Sequence, residues 1–71
     1  MRREIPWANG ATLVFRTVTP DSLAIEVHAA TLADGPPRDA ATGRKVVSSI
    51  CLDGSDLDAF ETAIREWRDE P

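Results

Sequence analysis

The chain has 71 residues and a formal net charge of -4 at pH 7, with 42% apolar and 28% charged residues. That length allows one domain, which buries only about 60% of the surface its unfolded chain exposes and so sits near the limit of stability. Cys51 is the only cysteine and His28 the only histidine, which excludes an internal disulfide and the common Cys/His zinc patterns and leaves oligomerisation as the reinforcing device.

No apolar run approaches the roughly 18 residues a membrane span needs. Arg2 and Arg3 stand where a signal peptide begins, but Glu4, Pro6 and Asn9 follow where its apolar stretch belongs. With Met1 in front, the expectation is a complete cytoplasmic protein. Arginine far outnumbers lysine and alanine is abundant, which points to a high-GC bacterial or phage genome. The acidic balance runs against nucleic-acid binding, which draws on a basic excess to displace counterions from phosphates, and favours a protein partner.

The spacing predicts an α+β fold, an antiparallel sheet of three to four strands with one C-terminal helix packed on one face. Asn9-Gly10 is a two-residue hairpin signal, because both central positions of a type I′ turn need positive φ. It joins a short edge strand over 3–8, limited by Pro6, to a β-branched strand over 11–19. Thr19-Pro20-Asp21-Ser22 is a turn, and 22–32 alternates with period two. Residues 33–43, with two prolines and two glycines, form a loop long enough to be functional, and 44–52 is the last strand. The helix is expected over 55–69, with Ser55 as N-cap and Asp58 completing the capping box. Its apolar stripe, Leu57, Phe60, Ile64 and Trp67, follows the 3, 4, 3 spacing of one helical face. Asp53, Asp56 and Asp58 crowd the helix start without calcium-loop spacing, so they read as capping groups rather than a metal site.

The stripe is expected to cover the sheet face made by Leu13, Phe15, Leu23, Ile25, Val27, Val46, Ile50 and Leu52. The opposite face carries Val14, Arg16, Val18, Ala24, Glu26, His28, Ala30, Val47, Ser49 and Cys51, more apolar than an ordinary solvated face. Val14, Val18, Ala24, His28 and Val47 are therefore the expected interface of a homodimer. The mixed outer helix face, Asp58, Glu61, Arg65, Glu66 and Asp69, is a second candidate surface. The candidates for nucleic-acid contact are Arg16, Arg38, Arg44 and Lys45, with Trp7 as a stacking platform. His28 and Cys51 share a face, and a Cys–His pair is the smallest activated nucleophile, but no oxyanion site or phosphate loop accompanies them. Trp7 and Trp67 are expected to pack together and close the domain. No enzyme, cofactor or metal function is expected.

Ile50, Leu52, Asp56, Leu57, Ala59, Phe60, Ile64 and Arg65 resemble the C-terminal pattern of small BldB-like actinobacterial regulators, often called a domain of unknown function. Ile25-Glu26-Val27 is similar to a strand of that family, and Trp7 to an early tryptophan. The resemblance implies a non-enzymatic regulator that dimerises or partners a helix-turn-helix DNA-binding protein. Strands followed by a helix also match the architecture of the coactivator family that binds single-stranded DNA as a dimer, which gives the alternative function. Fold order alone does not transfer that function.

Overall fold

Both central residues of the first turn take the positive φ that a type I′ geometry demands, 59° at Asn9 and 76° at Gly10. The Ala11 amide closes the turn on the Ala8 carbonyl at 3.2 Å. A Cβ placed on Gly10 would lie 3.3 Å from the Ala30 methyl, besides occupying a backbone region that side chains disfavour. Gly10→Ala is therefore expected to cost about 1 kcal/mol or more, read as a lowered urea midpoint.

The computed structural model describes residues 1–71. Strands β1 (Arg2–Pro6), β2 (Thr12–Thr19), β3 (Ser22–Leu32) and β4 (Arg44–Asp53) form one open antiparallel sheet in the order β1-β2-β3-β4, followed by helix α1 (Gly54–Arg68). Consecutive hairpins dictate that order, because each strand pairs with its neighbour in sequence. The β2–β3 turn is tied by the Thr19 and Ser22 hydroxyls at 2.7 Å and by the Asp21 amide donating to Thr19 Oγ1 at 3.3 Å.

The helix starts earlier than the spacing predicts. Asp53, not Ser55, is the N-cap: its carboxylate accepts from the Asp56 amide at 3.0 Å, and Asp56 reaches back to the Asp53 amide. Both residues fit the same capping pattern, but the carboxylate is the stronger acceptor, and the Ser55 hydroxyl donates to it instead. Those amide and hydroxyl bonds hold the Asp53 carboxyl below its ordinary range.

Register decides the two faces. On one face lie Ile5, Leu13, Phe15, Leu23, Val27, Ile25, Ile50 and Leu52. On the other, Val14 stands opposite Glu26 and Glu26 opposite Ser49, while Ala24 is flanked by Arg16 and Cys51. A bulge follows Val27, so His28 meets Val46 rather than Val47. An extra residue in one strand resets the alternation, which moves Val46 to the His28 face and corrects its expected place beside Ile50 and Leu52. Val47, at the bulge, stands exposed.

The buried centre is the second face. Val14, Ala24, Glu26 and His28 are the four buried residues, and only two of them are apolar. The 33–43 segment crosses this face as a strap, its residues 38–41 lying over Arg16, Glu26 and Val46. At β4, the Asp39 amide donates to the Arg44 carbonyl and the Val46 amide to the Pro37 carbonyl, at 2.9 and 3.1 Å. At the far side of the sheet, Arg2 of β1 grips the Asp39 carboxylate with two bonds, at 3.2 and 3.0 Å. The loop thus spans the sheet from one edge strand to the other.

Candidate interaction surface and the polar cluster behind it

Helix α1 has β4 as its principal neighbour and buries none of its residues. Leu57 is half-buried at the helix start, but Phe60, Ile64 and Trp67 are 40%, 42% and 70% exposed. Exposure rises along the stripe, so the helix leaves the sheet progressively uncovered. On the sheet, Ile50 is 48% exposed, and Leu13, Phe15, Ile25 and Val27 are only half-buried. An apolar helix stripe and an apolar sheet face therefore remain open together, well beyond the scattered single residues that need no explanation.

Two global measures agree. The Cα radius of gyration is 13.9 Å, against about 11 Å for a compact domain of this length. The accessible surface is 5434 Å² for 7.7 kDa, roughly 1,100 Å² above the ~4,300 Å² that a folded monomer of that mass presents. One partner in a standard interface covers about 800 Å².

The strapped face holds a polar cluster. Arg16 binds both oxygens of Glu26, at 3.3 and 3.2 Å, His28 Nε2 lies 3.0 Å from Glu26 Oε1, and the Ser49 hydroxyl donates to Oε2 at 3.5 Å. Burial pushes the Glu26 carboxyl up, but the bonds from Arg16 and His28 and their charges outweigh it and hold it below its ordinary value. The Arg2 bond likewise lowers Asp39, helped by the Thr42 hydroxyl. Arg2 and Arg16 are raised in turn by their carboxylate partners. A cleft of about 400 Å³ lies between strap and sheet, lined by these four charged groups with Arg38, Ala40, Ala41 and Val46. No buried side-chain polar atom in the molecule lacks a partner. The cluster satisfies itself, as a buried polar network must.

Of the five residues expected at a dimer interface, Val14, Ala24 and His28 are buried within the protomer, while Val18 and Val47 are exposed. The five do not form one accessible surface. His28 and Cys51 stand four rungs apart on the ladder, opposite Val46 and Ala24, with the Glu26–Ser49 pair between them on the same face. Among the basic candidates, Arg16 and Arg38 both line the cleft; Glu26 engages the Arg16 side chain, while Arg38 pairs with Lys45 through its backbone alone. Trp7 follows β1 at the opposite edge of the sheet from Arg44 and Lys45 on β4, so the basic set is split. Trp7 and Trp67 remain largely exposed, and neither closes the domain over the other. No three His, Cys, Asp or Glu side chains gather as a metal site, and no helix is long and apolar enough to cross a membrane. The acidic outer helix positions are all exposed.

Comparison with protein-family models, with curated proteins and with solved structures finds no match.

Proposed function

We propose that the chain is a non-catalytic protein–protein interaction module that acts as a homo-oligomer and uses the open apolar side as its contact surface. The supporting observation is the stripe Phe60, Ile64 and Trp67, left exposed beside a half-covered apolar sheet face. A domain whose buried centre holds two apolar residues gains little from hydrophobic burial alone, and association supplies the missing core. The surplus of accessible surface is of the size one partner covers in a standard interface.

A regulatory role fits the resemblance of the helix to BldB-like proteins. In that role the assembly offers the mixed outer helix face, Asp58, Glu61, Arg65, Glu66 and Asp69, whose balance is acidic, to the basic surface of a DNA-binding regulator. The single-strand nucleic-acid alternative has weaker support, because Glu26 already engages Arg16 and because Trp7 stands apart from Arg44 and Lys45.

Sedimentation of the purified protein across a wide range of concentration tests the core of this reading. The expected result is a dimer or higher oligomer that dissociates only on dilution. A monomer throughout overturns it.

A further inference from the structure

The two edges of the sheet are unlike. Strand β1 is short and carries Arg2, Arg3, Glu4 and Pro6, the features that keep an edge from pairing with another chain. Strand β4 is ten residues long. The strap pairs only with its first part, through Arg44 and Val46. Beyond the bulge, Val47-Ser48-Ser49-Ile50-Cys51-Leu52 has no charge and no proline, and no backbone group of the chain pairs with its outer side. An unprotected strand of this composition is a template for another strand.

We propose that a second copy of the chain occupies this edge, β4 pairing antiparallel with the partner's β4 about a two-fold axis near Ile50, to make one continuous eight-stranded sheet. The inference rests on the oligomeric reading above and names its seam. A two-fold axis makes an antiparallel contact of a strand with itself self-complementary, and it closes the assembly at two copies. It also accounts for the helix. Each α1 is rooted at the end of its own β4 and has β4 as its principal neighbour, so the pairing places both helices beside the seam strands.

Cys51 is the only cysteine and is exposed, and it projects from the face opposite the apolar one. A nitroxide placed on it reads the geometry directly. With strands about 4.8 Å apart and a rise of about 3.4 Å per residue, edge pairing puts the two Cys51 positions within about 10 Å and their labels within about 20 Å. A contact between apolar faces instead puts the cysteines on opposite outer faces of a layered assembly, with labels beyond about 25 Å. Sedimentation of the labelled and unlabelled protein accompanies the distance measurement. A dimer with short distances supports the edge. A dimer with long distances overturns the edge and leaves the oligomeric reading standing. A monomer in both samples overturns both. Amide exchange on unlabelled protein gives an independent reading: edge pairing slows exchange at Val47–Leu52 in the dimer relative to dilute monomer, and unchanged exchange in a proven dimer overturns the inference.

Discussion

If the chain associates as proposed, Ile64→Asp is expected to dissociate the assembly while leaving the protomer folded. Ile64 is 42% exposed in the isolated chain, and no residue of α1 is buried, so a carboxylate there disturbs little within one copy. In the proposed assembly the same carboxylate would face the partner's apolar stripe. Burying an unpaired charge costs several kcal/mol, to which is added the lost transfer energy of the isoleucine side chain, about 1.5–3 kcal/mol when fully buried. A loss of ~3 kcal/mol already weakens association more than a hundredfold. The readouts are sedimentation for mass and far-ultraviolet circular dichroism for the helix. Glu66→Ala, on the outer helix face, is the control and leaves the mass unchanged, since substitutions on a solvated face fall within about 0.5 kcal/mol. If Ile64→Asp stays associated at wild-type affinity, the stripe is not part of the contact. Val14→Asp is no substitute test. Val14 is fully buried within the protomer, so that change is expected to unfold it and report nothing about its surface.

Why one face was legible in the sequence and the other was not follows from the range of the interactions. Strand order and hairpin signs are local: Asn9-Gly10 and Thr19-Pro20-Asp21-Ser22 set them, and the strict alternation of 22–32 sets the faces of β3. The helix stripe is local as well, a matter of spacing. The burial of the second face is not local. It depends on Arg2 meeting Asp39, 37 residues away, and on the loop backbone finding β4. A long loop rich in proline and glycine carries no pattern that reveals what it lies across. The bulge at Val27 is similarly silent in sequence, and it moved Val46 from one face to the other. One signal was present. The β2–β3 turn fixes Arg16 opposite Ala24 and diagonal to Glu26, while His28 shares the Glu26 face at i, i+2. Three charged or titratable groups at adjoining positions on a central strand pair mark a covered polar cluster rather than an open interface.

Glu26→Gln is expected to destabilise the protomer by about 1–3 kcal/mol at neutral pH, and the deficit is expected to shrink as the solution is acidified. The glutamine keeps the shape but loses the charge that Arg16, His28 and Ser49 share. Arg16 is 43% exposed, so solvent screens its pairing with Glu26 and its contribution is modest. The bond from the fully buried His28 ring carries more of the effect, because neither partner has water to fall back on. The sign of the pH dependence follows from the direction of the shift. The folded-state Glu26 carboxyl is held below its ordinary value, as is Asp39 under Arg2. The unfolded chain therefore binds protons first as pH falls, and the stability these carboxylates contribute is fully present above the ordinary carboxylate range near pH ~4. It is lost as pH drops through that range to the lowered folded values. Urea midpoints for wild type and Glu26→Gln, taken at one protein concentration because the proposed association would be linked to folding, test this at neutral pH and at successively lower pH. The two curves should converge on the acid side as the wild-type carboxyl takes up its proton. Asp39→Asn, which weakens the strap at its Arg2 end, should flatten the same acid limb. Parallel curves for wild type and Glu26→Gln across the carboxylate range would mean that the buried cluster holds no charge worth protecting, and that the strap covers it for packing alone.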